Sequence, residues 1–242
     1  TDADIHHDAG NLAALVDRAE ADGCDLTSCM VKLQVASRAE RWLIPAFVFF
    51  FFKLYPPRWI ASPAARTAGA AGGCMLVRPA ALERAGGLAA IRGEIIDDCS
   101  LARIIKRAGG REWLGLTTTA RSLRPYGGVR ELGLMISRTA FNQLRHSWLL
   151  LAGTLAGLAL TYLLPPLALL AGGAAAAAGA LAWALMTLCY LPMVRFYGLN
   201  PAWSLTLPAA AAFYAGATVH SAVQYARGRG GRWKGRAQDS RE

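Results

Sequence analysis

Charged residues are scarce in the last third of this chain. From Leu149 to Tyr225 the sequence contains no Asp or Glu, and its only Lys or Arg is Arg195. The part before Leu149 mixes charged and apolar residues as globular domains do. Because a bilayer core accepts long apolar helices and few charges, this change in composition predicts a soluble domain followed by a membrane domain.

Two further patterns are absent. The five cysteines show no CxxC spacing and no paired histidine ligands. We therefore expect reduced thiols in a cytoplasmic domain, with a zinc site or a disulfide as the alternative. The chain also starts at Thr1 without an initiator Met or a signal peptide. Since its first residues resemble the end of a strand, we expect an N-terminally truncated fragment.

The first half of the chain has the pattern of an α/β fold. A helix capped by Asp8 is expected before a strand at 26–31, which gives a strand–helix–strand order. Further along, Asp97 is the expected N-cap of a helix that ends at Gly109, and a strand is expected at 113–116. These elements predict an α/β domain over residues 1–127.

An apolar run from Trp42 to Phe52 interrupts this domain. Its eleven residues are too few to span a bilayer, which needs ~20 as a helix. Aromatic and basic residues at its margins favour a helix at about 41–55 that lies in the membrane interface, with a buried helix as the alternative. The segment 128–147 interleaves apolar residues with arginines, and we expect it to lie along the membrane surface.

Three apolar segments follow as candidate membrane helices. The first, 148–164, ends at a Pro-Pro pair; the second is 174–194; the third, 202–225, is weaker because it carries Pro, His and Gln. The tail at 226–242 is basic. The positive-inside rule places both the tail and the catalytic part in the cytoplasm. Two membrane spans with a re-entrant or interfacial third segment satisfy the positive-inside rule. We therefore expect a multi-pass protein of the cytoplasmic membrane.

Asp2 and Asp4 form the first chemical motif. In a strand, residues two apart project to the same side, so at a strand end both carboxylates can approach one ion. Mg²⁺ or Mn²⁺ held in this way would bridge the phosphates of a nucleotide-sugar and neutralise charge on the leaving diphosphate. Two acidic residues on a solvated turn are the alternative.

Asp97 and Asp98 form the second motif, at a predicted helix start. The helix dipole favours a carboxylate in the first turn and should keep it ionised. An ionised carboxylate beside an acceptor hydroxyl can take its proton while the hydroxyl attacks the anomeric carbon of a sugar. Simple N-capping of the helix is the alternative.

Arg138, Asn142 and Arg145 form the third motif. Spacings of four and three residues place them near one face of a helix. Guanidinium groups at this position could hold a diphosphate. Binding of lipid headgroups by a surface helix is the alternative.

The order of these motifs resembles that of the family 2 glycosyltransferases of GT-A fold. Those enzymes carry a DxD, a glycine-containing acceptor loop, an E/D-D-x-x-L and often a Q-x-x-R-W. The matching stretches are Thr1–Asp4, Gly72–Arg78, Asp97–Leu101 and Asn142–Arg145. Within that family the chain is most similar to the hopanoid-associated bacterial glycosyltransferases called HpnB, over 44–51, 71–78, 96–99 and 122–126.

The resemblance implies a partial GT-A domain followed by transmembrane helices. It implies metal-dependent, inverting transfer of a sugar from a nucleotide-sugar to a membrane lipid such as a hopanoid. The implied roles are metal binding by Asp2 and Asp4, catalysis by Asp98 (the base) and Asp97, and substrate binding by Gly72, Gly73, Cys74, Arg138, Asn142 and Arg145. Asn142 and His146 stand where the family has Gln and Trp.

Two other functions remain open at this stage. A processive polysaccharide synthase would share the motifs but would thread its polymer through several spans. In a non-catalytic membrane-anchoring protein, the acidic residues would be surface caps and the basic stretches would bind anionic lipid. Nucleic acid is not an expected partner in any of these interpretations.

Overall fold

The computed structural model describes residues 1–233 and 236–239, and it confirms a mixed α/β composition that is mostly helical. The chain forms two compact units. The sheet unit comprises Thr1–Gln34 and Phe50–Pro125, and the helical unit comprises Val35–Phe49 and the chain from Tyr126 onward. The segment Val35–Phe49 thus belongs to the helical unit, although in the sequence it lies between the two parts of the sheet unit.

The sheet unit begins with the strand β1 (Ile5–His7), the helix α1 (Asn11–Ala21) and the strand β2 (Leu26–Lys32). The helix α2 (Arg38–Leu54) is shared by the two units. The remaining elements of the sheet unit are α3 (Pro57–Ile60), β3 (Met75–Val77), α4 (Pro79–Arg84), a 3₁₀ turn (Leu88–Ile91), α5 (Asp97–Arg107) and β4 (Glu112–Ser122).

The four strands form one sheet in the order β1-β4-β2-β3. β4 runs parallel to β2, with Glu112 opposite Leu26, and the two outer pairs are antiparallel. β2 is buried on both faces, as expected for a strand covered by helices on both sides. On one face Leu26 packs in a cluster with Leu101 of α5, and on the other Cys29 packs in a cluster with Leu15 of α1.

The helical unit contains, after the first part of α2, the helices α6 (Val129–Gln143), α7 (Trp148–Leu158), α8 (Leu164–Ala168), α9 (Gly173–Phe196) and α10 (Leu207–Ala226). A π-helical turn (Ala159–Leu163) joins α7 to α8, and 3₁₀ turns lie at Leu169–Ala171 and Pro201–Thr206. The hairpin β5 (Gly230–Trp233) and β6 (Arg236–Asp239) follows α10. Of the expected basic tail, residues 234–235 and 240–242 lie outside the described residues.

Two helices in the described part of the chain are long and apolar enough to cross a bilayer. They are Trp148–Ala171, which runs from α7 through α8, and Gly173–Phe196. The first is longer than the expected 148–164 because the Pro-Pro pair does not end it. The π-helical turn ends two residues before Pro165 and widens the helix where the proline ring would meet the preceding turn, so the helix continues.

The apolar run in α2 is largely buried. Leu43, Ile44 and Val48 have no exposed surface, which fits the buried-helix alternative better than an interfacial position. The helix start is a capping box: the Ser37 N–H donates to the Glu40 carboxylate (2.7 Å), and the Glu40 N–H donates to the Ser37 hydroxyl (3.2 Å). The same carboxylate accepts the Tyr126 N–H at 2.7 Å. Glu40 therefore links the two segments at which the chain enters the helical unit.

Candidate functional site

The glycine-rich loop at residues 69–74 lies between β2 and the start of α5, and its backbone is held at several points. The buried Ser28 hydroxyl of β2 accepts the Ala71 N–H (2.8 Å) and lies 3.1 Å from the Ala71 carbonyl oxygen, to which it donates. The Cys29 N–H donates to the Cys74 carbonyl (2.9 Å). A side chain at Gly69 would overlap the ring of Tyr55. The loop is therefore a fixed surface, whose Gly72 N–H points at α5.

Asp98 occupies the first turn of α5 and receives that N–H. One carboxylate oxygen accepts the Gly72 N–H at 2.9 Å, and the other accepts the Cys99 N–H at 2.6 Å. A Cβ at position 72 would lie 3.3 Å from the Asp98 carboxylate, tighter than ordinary contacts, so glycine permits this approach. The Cys99 thiol interacts with the same carboxylate, so one of its roughly four lone-pair sites is left for a further partner.

Burial changes the expected charge behaviour of Asp98. Loss of solvent raises the pKa of Asp98 above its ordinary value; the hydrogen bonds from Cys99 and Gly72 oppose this, and the charge of Asp97 adds to the rise. The expectation that the helix dipole alone decides its ionisation was therefore incomplete. A carboxylate with a raised pKa is a stronger base than a solvated aspartate.

Asp97 does not cap the helix, in contrast to the expectation. Ile96 is the N-cap residue and Asp97 is the first helical residue. The exposed Asp97 carboxylate accepts the Asp98 N–H at 3.0 Å. The N-cap of α1 is likewise Gly10 rather than Asp8, and the Asp8 carboxylate pairs with Arg121 at 2.7 Å.

Asp2 and Asp4 lie in an irregular segment and turn before β1, so the expectation that they end a strand was wrong. The alternation argument for their side chains does not apply there. The turn is tied to the glycine-rich loop, because the Thr1 hydroxyl donates to the Gly73 carbonyl at 2.9 Å. Gly72 binds Asp98, and Gly73 binds Thr1. The acidic turn and the start of α5 therefore contact adjacent residues of the same loop.

The side chain of Cys74 faces away from this site. It is 1% exposed and packs with Leu15, Cys29 and Val31 in the core of the sheet unit. Only its backbone lies on the loop, so contact of the Cys74 thiol with a substrate is not supported. Gly72 and Gly73 are half-buried and remain the candidates for substrate contact.

Arg138, Asn142 and Arg145 lie in the helical unit and do not share one helix face. α6 ends at Gln143, and Arg145 and His146 both adopt left-handed backbone conformations (φ 52° and 56°). Just after the end of α6, the ring of His146 stacks on Tyr225 of α10, with the ring centroids 4.0 Å apart. The predicted alignment of the two arginines was therefore wrong, because the helix ends between them.

Lys106 was not identified from the sequence. Its ammonium group donates to the carbonyls of Ile60 and Thr67, both at 2.6 Å, and lies 3.9 Å from the Glu112 carboxylate. It thereby holds the segment that leads into the glycine-rich loop. Burial lowers the pKa of Lys106 and raises that of Glu112 to about 8, so the two groups share a poorly solvated site.

No cluster of three or more His, Cys, Asp or Glu side chains suited to a metal ion occurs among the described residues. The carboxylates of Asp2 and Asp4 form no hydrogen bond or ion pair with any residue that the structure describes. They are thus available to an external partner. Two protein carboxylates are a usual protein contribution to Mg²⁺ sites, where phosphates and water complete the shell.

Comparison with known proteins gives one match. The model of the family described as glycosyl transferase family 21 matches residues 1–227. No curated protein and no solved structure matches the chain. The expectation of a glycosyltransferase is confirmed, whereas the assignment to family 2 and to the hopanoid-associated group is not confirmed by this match.

Proposed function

Because this chain belongs to glycosyl transferase family 21 and is a glycosyltransferase, we propose that it transfers a sugar to the hydroxyl of a membrane lipid, with Asp98 as the base. Membership of the family implies a nucleotide-sugar donor and an acceptor. The observation that carries the proposal is the position of the half-buried Asp98 carboxylate, which is fixed by the Gly72 and Cys99 amides.

The proposed reaction is a single displacement that inverts the anomeric carbon. The acceptor oxygen attacks this carbon, its proton passes to a free lone pair of Asp98, and the bond to the diphosphate breaks with its electrons on the leaving group. The two backbone amides hold the carboxylate before the substrate arrives, so little reorganisation accompanies proton transfer. The raised pKa of Asp98 makes it a stronger proton acceptor.

Asp2 and Asp4 fit a divalent cation site by their chemistry. Both offer carboxylate oxygens without a partner among the described residues, next to a loop that binds Asp98. Mg²⁺ or Mn²⁺ bound there would neutralise charge on the departing diphosphate. The turn with Asp2 and Asp4 would then bind the leaving group through the metal ion, and Asp98 would accept the proton of the acceptor hydroxyl.

The lipid acceptor is inferred from the helical unit. Trp148–Ala171 and Gly173–Phe196 can each cross a bilayer and are mostly exposed, which suits contact with lipid. We further propose a GT-A type of catalytic domain on the cytoplasmic side of a multi-pass protein, supported by the order of motifs and the basic residues near the chain end. A hopanoid is one acceptor of the required chemistry.

The proposal is tested with the full-length protein in liposomes that contain candidate lipids with a free hydroxyl. We expect radiolabel from one of a panel of nucleotide-sugars to enter a single lipid product in the presence of Mn²⁺. Removal of the metal with EDTA should lower the rate at least ~100-fold, because several kcal/mol of charge stabilisation is lost, and Mn²⁺ should restore it. A ladder of polymer would indicate a processive synthase. Absence of donor binding would favour an anchoring protein.

A further inference from the structure

A continuous set of hydrogen bonds connects the acidic turn to the core of the sheet unit through His7. The Nε2 atom of His7 lies 2.8 Å from the Thr1 hydroxyl oxygen, and its Nδ1 atom lies 2.9 Å from the amide nitrogen of Asn11. The Thr1 hydroxyl in turn contacts the Gly73 carbonyl. His7 therefore lies between the start of α1 and the glycine-rich loop.

The partners decide which ring nitrogen carries the proton. The single hydroxyl proton of Thr1 faces two carbonyl oxygens, that of Gly73 at 2.9 Å and that of Asp2 at 3.3 Å. Because carbonyl oxygens only accept, the Thr1 hydroxyl oxygen accepts a hydrogen bond from Nε2–H of His7. The Nδ1 atom faces the amide nitrogen of Asn11, which can only donate, so Nδ1 is the acceptor. The hydrogen-bond pattern thus assigns the neutral ring with its proton on Nε2.

Asn11 is itself held in one orientation. It is 3% exposed, and its side-chain carbonyl accepts a hydrogen bond from the Thr119 hydroxyl at 2.7 Å. Its second amide proton is directed to the Cys74 sulfur at 3.6 Å. Thr119 belongs to β4 and Asn11 to α1, so the orientation of the His7 ring is set by regular elements rather than by a loop.

We infer that His7 is a positioning residue, which holds Thr1 and the acidic turn against the glycine-rich loop. The imidazole ring of His7 donates a hydrogen bond to the Thr1 hydroxyl and accepts one from the Asn11 amide. Gly72, which directly precedes Gly73 in the loop, holds Asp98. His7 therefore couples the turn that carries Asp2 and Asp4 to the position of the base. This inference rests on the proposed function, and neither His7 nor Asn11 belongs to the motifs that suggested it.

The kinetic test uses the full-length protein with His7→Ala, Thr1→Val and the double variant. Each single variant is expected to raise the Mn²⁺ concentration for half-maximal rate about tenfold, the effect of one lost hydrogen bond. The double variant should be no worse than the poorer single one, because both remove the same link. His6→Ala is the matched control, since His6 is 48% exposed and contacts Asp8; it should change the rate by less than ~2-fold.

The second test does not depend on activity. Amide hydrogen exchange is measured on the peptide that covers residues 69–77, without metal or substrate. In His7→Ala it should become about tenfold faster, while exchange in α5 stays unchanged. His7→Gln, which keeps a donor toward Thr1, should restore most of the protection.

The outcomes separate the two proposals. If the wild-type protein transfers sugar but His7→Ala matches His6→Ala in both measurements, the inference about His7 is wrong. Faster exchange throughout the sheet unit would show a role in folding rather than in positioning, which also overturns it. Failure of the wild-type protein to transfer sugar would refute the proposed function, while the exchange measurement would still decide the link.

Discussion

Asp98→Asn is expected to lower the rate of sugar transfer by about 10²- to 10⁴-fold, the contribution typical of a general base. The amide oxygen of Asn can still accept one of the two backbone N–H groups that hold Asp98, so the loop should remain in place. The amide cannot take the acceptor proton. Donor affinity should stay within a few-fold. The rate is measured from labelled lipid and the affinity by calorimetry.

Asp97→Asn is the matched control for this prediction. Its carboxamide oxygen can keep the hydrogen bond from the Asp98 N–H, so the rate at neutral pH should change little. The negative charge of Asp97 raises the pKa of Asp98. Since the base must be deprotonated, removal of this charge should shift the acid limb of the pH–rate profile to lower pH. Wild-type turnover by Asp98→Asn would refute the assignment of the base.

Lys106→Met is expected to cost about 3 kcal/mol of stability, because the carbonyls of Ile60 and Thr67 lose a charged donor in a buried site. For a chain of this size such a loss corresponds to about 10 °C in the unfolding temperature. The measurement is thermal unfolding of the purified protein followed by tryptophan fluorescence.

Arg103→Met provides the control on the same helix. Arg103 is exposed, so its replacement should change stability by less than ~0.5 kcal/mol. Glu112 adds a dependence on pH. Its pKa in the folded state, about 8, is raised, so the stability it contributes is fully present below the unfolded pKa and is lost as pH rises through about 8. If Lys106→Met unfolds at the wild-type temperature, the ammonium group does not hold the segment.

Local signals in the sequence predicted the elements that position the base. The acidic pair at the start of an amphipathic helix, followed by a glycine stop, located α5 to within a few residues. The order of strands was not predictable in the same way. β4 continues to Ser122 and lies between β1 and β2, because pairing between distant segments leaves no periodic mark in either of them.

The parts of the candidate site that were missed act through distant contacts. Ser28, His7 and Lys106 contact the loop or the segment before it, and a lone polar residue in a strand or helix has no spacing that indicates this. The capping box of Ser37 and Glu40 was readable, since Ser-x-x-Glu before an apolar run is a known helix start. Arg145 was misplaced because helical spacing was extended beyond the last residue of α6.

The parallel pairing of β2 with β4 sets when this part of the sheet can form during synthesis of the chain. Leu26 finds its partner at Glu112, more than eighty residues later in the chain. At a synthesis rate of ~5–20 residues per second, the earlier strand waits on the order of ten seconds for its neighbour. During that time an apolar segment built to be covered on both sides is open to other chains.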